Sequence, residues 1–253
     1  MNVEHGHDHN KIDLKHNDYS IDSELNVEWK VYPEKTIPNK DVEISITIKD
    51  KHGYSATSFA VIHEKQMHLL AISKDLSSFQ HLHPEYRGEG QFVVKTQFPK
   101  AGSYRLFADF MPENGSQQLA TFDIQTTGKE TKEMIIPDKE FNKTVNDLHF
   151  ELKFKALTAH QHLQMAFTVK DANSMEPIEL ETYLGSAGHV VIVSEDLEIF
   201  LHVHPTDETS IEQTVSYTTS FPAPGIYKMW GQFKFKGNLY TVPFVIPVPH
   251  ELI

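Results

Sequence analysis

Short runs of alternating apolar and polar residues follow one another along most of the chain from Glu24 onwards. Examples are DVEISITIKD, GQFVVKTQF and LQMAFTVKD, separated by segments that contain Pro, Gly, Asn, Asp or Lys. This alternation is typical of antiparallel strands, because successive side chains of a strand point to opposite faces. No run keeps a helical period over several turns. The pattern therefore predicts an all-β protein.

The same series of runs occurs twice in the chain. Residues 46–84 align with residues 167–205 without a gap, and 11 of the 39 positions are identical. The segment FPKAGSYRLFADF also returns later as FPAPGIYKMWGQF. About seven short strands in roughly 100 residues are typical of a β-sandwich. The repeat predicts two tandem antiparallel β-sandwich domains of immunoglobulin- or cupredoxin-like type, although a small closed barrel would use the same strands.

Changes in composition divide the chain into four segments. We expect a flexible His-rich arm at residues 1–23, a first sandwich at 24–125, a polar linker at 126–146 and a second sandwich at 147–253. The arm carries four histidines that could capture metal ions loosely: His5, His7, His9 and His16. The strand aromatics are expected to pack in the domain cores: Tyr104, Phe107, Phe110, Tyr227, Trp230 and Phe233.

Composition narrows the classes of function. The net charge is −12, with His neutral and without clusters of Lys or Arg, so nucleic acid and anionic membranes are poor partners. The absence of cysteine excludes disulfides, thiolate ligands and cysteine nucleophiles. The first residues also lack the apolar stretch of a signal peptide. We therefore expect either a cytoplasmic protein or an exported one whose leader is absent from this chain.

The repeat preserves three histidines in each half: His68, His81 and His83 in the first, and His189, His202 and His204 in the second. In each half the last two histidines are one residue apart, so on a strand they project from the same face. A tight turn centred on residues 75–76 would place His68 opposite His83, with Cβ atoms about 5 Å apart. A turn at residues 196–197 would pair His189 with His204 in the same way.

Three imidazoles without a thiolate suit Cu(II) or Zn(II) and leave a fourth position open. We therefore predict two metal sites, with copper favoured and zinc next. Met67 should lie in the core, because it points to the opposite face from His68, and His63 should lie in a loop. Asp109 could be a fourth ligand or an acceptor that orients an imidazole. Gln232 takes its place in the second half, so the two sites should differ in affinity.

Two other interpretations of the histidines stay open. In one, the imidazoles bond to backbone and fix the hairpin ends of a metal-free module that docks a partner protein, or they sense pH. In the other, the strand-borne H-x-H belongs to a copper-dependent redox enzyme, as in copper–zinc superoxide dismutases. The chain contains no evident proton relay or guiding basic residues, so binding is favoured over catalysis.

The second half carries a pattern of motifs, namely Tyr183-Leu184-Gly185, Gly188-His189, Asp196-Leu197 and His202-Val203-His204-Pro205. It resembles exported bacterial YtkA-like β-sandwich domains, and the first half resembles them more loosely. The resemblance implies an exported or membrane-tethered protein associated with copper handling, with its leader absent here. The resulting hypothesis is an extracytoplasmic metal-binding protein for resistance, storage or delivery, with a metal-transport or membrane protein as its partner.

Overall fold

A computed structural model describes residues 25–113, 115–203, 205–206 and 214–250. These residues form antiparallel strands and no helix, so no helix among them could span a membrane. The first-half strands are β1 Leu25–Tyr32, β2 Asp41–Asp50, β3 Met67–Ser73, β4 Phe79–Leu82, β5 Glu85–Gly88, β6 Gln91–Gln97, β7 Gly102–Phe110 and β8 Gln118–Thr126. The second-half strands are β9 Asn142–Val145, β10 Leu148–Phe154, β11 His162–Asp171, β12 His189–Ser194, β13 Phe200–Val203, β14 Thr214–Ser220, β15 Gly225–Phe235 and β16 Asn238–Val248.

Each half forms a sandwich of two four-stranded sheets, which confirms the predicted fold class. The first sandwich packs the sheet β1-β2-β6-β5 on the sheet β4-β3-β7-β8, and the second packs β14-β11-β10-β9 on β13-β12-β15-β16. On β2 the burial of side chains alternates along the strand, because one face meets the core and the other meets solvent. The edge strand β9 lies in the residues predicted as linker.

The sheets that carry the histidines are buried on both faces. Every residue of β3 and of β12 is buried, which is why these strands read as continuous apolar runs. Met67 belongs to the core of its own sandwich, as predicted, and is 1% exposed. The next side chain along β3, His68, points to the other face. That face packs against the other domain.

Nine buried apolar side chains join the two domains: Leu70, Ile72, Leu76, Phe107, Val191, Val193, Leu197, Phe200 and Trp230. Phe79 stacks on Trp230 with ring centroids 4.6 Å apart, and Phe107 stacks on Phe200 at 5.0 Å. Phe79 and Phe200 are equivalent in the repeat, as are Phe107 and Trp230. The two stacks are therefore the same contact, made once in each direction across the interface. The interface thus has the self-complementary form of a two-fold homodimer within one chain. The other four aromatics lie in the domain cores, whereas Phe107 and Trp230 lie between the domains.

The hairpin register agrees with the predicted turn positions. Leu70 pairs with His81 in the first half, and Val191 pairs with His202 in the second. Leu76 in the first turn has a positive φ of 56°. Continuing the first register by two residues brings His68 opposite His83.

Candidate metal centre at the domain interface

Histidines from both domains meet in one cluster at the edge of the apolar interface. The ring centroid of His68 lies 5.3 Å from that of His202 and 6.1 Å from that of His189. The rings of His81 and His202 are 6.0 Å apart. The sequence suggested two separate sites, but the faces that carry the histidines pack against each other and join them. His204 and the four histidines of the N-terminal arm lie outside the described residues.

The three predicted histidines of the first domain form a compact group within the cluster. Each offers one nitrogen, and the three nitrogens lie within 4.8 Å of one another. His68 is only 2% exposed, and His81 and His83 are half-buried. We call His68, His81 and His83 the first trio. Metal–nitrogen bonds are about 2.0–2.1 Å long, so small side-chain rotations would bring all three nitrogens onto one ion.

Each domain supplies a hydrogen-bond acceptor to a histidine of the other domain. His81 Nδ1 donates to Gln232 Oε1 at 2.7 Å, and His202 Nδ1 donates to Asp109 Oδ2 at 2.9 Å. Asp109 and Gln232 occupy equivalent positions, each opposite the first histidine of its own domain in the sheet. The sequence left two roles open for Asp109, a fourth ligand or an acceptor that orients an imidazole. In the structure it accepts a hydrogen bond from an imidazole of the other half, because the repeat is folded about a pseudo-two-fold axis.

When the His68 and His81 rings are neutral, each has one N–H proton, and that proton is committed to a hydrogen bond outside the first trio. His68 Nε2 lies 3.0 Å from the carbonyl oxygen of Ile62, which can only accept, so the single proton of His68 belongs on Nε2. The proton of His81 belongs on Nδ1, because Gln232 Oε1 also only accepts. His68 Nδ1 and His81 Nε2, which are 2.9 Å apart, are then two lone pairs facing each other. A positive centre placed between them, either a proton or a metal ion, would relieve this contact.

Burial disfavours the proton. It lowers the pKa of His68 and brings the pKa of His81 well below its usual value, helped by the neighbouring His68 and His83. The pKa of His83 falls to about 4, mainly through burial, and its Nε2 has no hydrogen-bond partner among the described residues. Burial also lowers the pKa of His202 and raises that of Asp109 to about 6. At neutral pH these imidazoles are neutral, which is the form that binds metals.

His63 joins the cluster, although the sequence assigned it only to a loop. The loop is confirmed: Ile62 bridges Lys65 across a tight turn in which His63 has a φ of 49°. The turn carries the His63 ring across the interface to 5.1 Å from the ring of His189. Comparison of the halves could not reveal this role, because Leu184 stands at the equivalent position.

These features define a tandem pair of antiparallel β-sandwich modules with a histidine cluster in the interface between them. The chain belongs to the family described as "Domain of unknown function (DUF8832)", whose model matches residues 20–128 and again residues 143–250. The two matches agree with the repeat. The resemblance to YtkA-like domains stays a prediction. No curated protein matches the chain.

Solved structures with similar folds include bacterial adhesins and fibronectin modules. The Escherichia coli adhesin FdeC is 14% identical with a TM-score of 0.29, and the match covers 89% of this chain and 65% of that one. Yersinia pseudotuberculosis InvD is 12% identical with a TM-score of 0.30, covering 89% and 58%. A two-domain fibronectin type III segment of chicken tenascin is 8% identical with a TM-score of 0.26, covering 87% and 98%. The chain thus spans less than two thirds of either adhesin structure. Because these TM-scores are low, the sandwich assignment rests on the strand pairing.

Proposed function

We propose that the chain binds a transition-metal ion at the first trio, with copper favoured and zinc next. The observation that carries this proposal is the contact between His68 Nδ1 and His81 Nε2, where two lone pairs face each other at 2.9 Å. An ion placed there accepts both lone pairs, and His83 can supply a third. Imidazole ligands suit both metals, and Cu(II) generally binds a given set of nitrogen ligands more tightly than Zn(II).

The set of three protein ligands fits storage or delivery better than a permanent structural site. Structural zinc sites are closed by four protein ligands, whereas three ligands leave a position for water or for a donor from another protein. We infer a role in metal resistance, storage or delivery outside the cytoplasm, with a metal-transport or membrane protein as the recipient. A second ion at His189, His202 and His204 is part of the same proposal.

Metal content and affinity would test the proposal. The histidine arm must not contribute to the count, so the full-length chain would carry alanine at His5, His7, His9 and His16. Elemental analysis and competition titration with Cu(II) and Zn(II) should then give tight stoichiometric binding. His83→Ala should reduce the count by one ion per chain, while the exposed His52→Ala should leave it unchanged. Equal binding by both variants would overturn the assignment to the first trio.

The second candidate is a metal-free pair of modules that docks a partner protein. It is favoured by the hydrogen bonds from His81 to Gln232 and from His202 to Asp109, which link the domains without an ion. The bond from His81 to the neutral amide of Gln232 contributes about 0.5–1.5 kcal/mol, and the bond from His202 to the Asp109 carboxylate contributes about 1.5–3 kcal/mol. Each fully buried apolar side chain of the interface contributes about 1.5–3 kcal/mol, so the apolar cluster holds the domains together without help from the histidines. The metal-free candidate predicts no tight ion, and His83→Ala would then leave partner binding intact.

A further inference from the structure

The two domains exchange the groups that orient their histidines. Gln232 of the second domain holds Nδ1 of His81, and Asp109 of the first holds Nδ1 of His202. The bond from Gln232 Nε2 to Thr241 Oγ1, at 3.3 Å, directs the amide oxygen towards His81. The second oxygen of Asp109 accepts from Gln117 Nε2 at 2.8 Å. Both acceptors are at least 96% buried, and each reaches its histidine only when the domains are docked.

We propose that metal binding at the first trio and docking of the two domains are coupled, with Gln232 as the positioning residue that transmits the coupling. This inference rests on the function proposed above. An acceptor on Nδ1 keeps the proton there and directs the Nε2 lone pair of His81 to the ion. Loss of such an acceptor costs about 10–100-fold in metal affinity. Coupling of this kind is reciprocal. If docking raises the affinity for the ion by some factor, the bound ion raises the equilibrium constant for docking by the same factor.

The chemical difference between the two acceptors makes the proposal specific. An imidazole that donates its hydrogen bond to a carboxylate is a stronger metal ligand than one that donates to a neutral amide. The carboxylate stabilises the positive charge that the imidazole shares with the metal. Asp109 already provides a carboxylate to His202, whereas Gln232 provides only an amide to His81. Gln232→Glu should therefore preserve or tighten binding at the first trio, whereas Gln232→Leu should weaken it.

The experiment compares these two variants with a control, Gln164→Leu, at an exposed position. All three are made in the full-length chain whose four arm histidines are changed to alanine. Competition titration with Cu(II) should give a 10–100-fold weaker dissociation constant for Gln232→Leu. Gln232→Glu should bind at least as tightly as the parent, and Gln164→Leu should match the parent within about twofold. Retention by Gln232→Glu, together with a native far-ultraviolet circular dichroism spectrum for Gln232→Leu, separates the loss of an acceptor from misfolding.

Docking of the domains gives a second readout, which is measured independently of the titration. Trp230 lies in the interface, so its fluorescence in a Trp29→Phe background reports the contact between the domains during urea unfolding. Cu(II) should raise the midpoint of this transition in the parent, and Gln232→Leu should reduce the increase. Parent-like affinity and a parent-like increase in Gln232→Leu would overturn the coupling while leaving the proposed function intact. Absence of tight metal from the parent would instead refute the proposed function itself.

Discussion

Equivalent residues in the two halves do different chemistry because single substitutions separate them. Asp109 and Gln232 occupy matching positions, yet one presents a charged acceptor and the other a neutral amide. His63 adds an imidazole to the cluster where the second half has Leu184. The prediction that the two metal sites differ in affinity therefore has a physical basis in residues that could be identified from the sequence. Their contacts across the interface could not be read from sequence, because alternation along a strand gives the face but not what covers it.

Gly188, directly before His189, is required by close packing. A Cβ added to Gly188 would meet Phe233 Cδ1 at 2.6 Å and Tyr217 Oη at 2.8 Å, which is closer than carbon contacts allow. Gly188→Ala should therefore lower the free energy of unfolding by about 1–3 kcal/mol, as measured by urea denaturation. Gly115→Ala is the control, because its nearest neighbour would lie at 3.4 Å. Equal stability of the two variants would contradict this account.

At the scale of elements, the local alternation of apolar and polar residues was enough to predict most strands and the turns of both histidine hairpins. The alternating runs quoted above lie in β2, β6 and β11, and the turn positions predicted the register of both histidine hairpins. The short edge strands β5 and β9 were not predicted, since EYRG and NKTV each contain only one apolar or aromatic side chain and show no alternation. The first hairpin depends on Asp75, whose Oδ1 accepts from Ser73 Oγ at 2.6 Å and from Ser77 N at 3.1 Å.

The length of the first turn determines which face presents His81 and His83. A glycine inserted between Asp75 and Leu76 would shift the register by one residue and turn both imidazoles towards the sandwich core. The insertion should abolish metal binding by the first trio and lower the unfolding midpoint. A glycine inserted after Lys51, in an exposed turn, should preserve both. Elemental analysis with circular dichroism would decide, and an unchanged metal count in the first variant would argue against a trio set by this register.

At the scale of the whole molecule, docking determines what the histidines can do. The continuous apolar run of β3 predicts burial on both faces, but a pattern within one strand cannot identify a second domain as the covering surface. Five of the six predicted residues therefore lie in one cluster, in which the two predicted sites are neighbours. The apolar interface withdraws these imidazoles from water. Withdrawal lowers their pKa values and keeps them neutral, so the same burial that joins the domains prepares the cluster for a cation.

That burial predicts how the stability of the metal-free protein depends on pH. The pKa of His83 is about 4 in the folded chain against an ordinary 6.5, and burial also lowers the pKa values of His68, His81 and His202. Between pH 6.5 and 4 the unfolded chain therefore binds more protons than the folded chain at these histidines, so the free energy of unfolding falls as the pH falls.

Asp109 has the opposite effect on the pH dependence of stability, so a variant at this position tests the explanation. Burial raises its pKa from 3.8 to about 6, so in this range the folded state binds the extra proton and gains stability as the pH falls. Four histidines outweigh one carboxyl group, and the melting temperature of the metal-free protein should drop between pH 7 and pH 5. Asp109→Asn keeps an acceptor for His202 but removes the opposing proton, so the drop should become steeper. Differential scanning calorimetry without metal would measure both slopes, and a shallower drop in Asp109→Asn would show that this carboxyl group is not held neutral by burial.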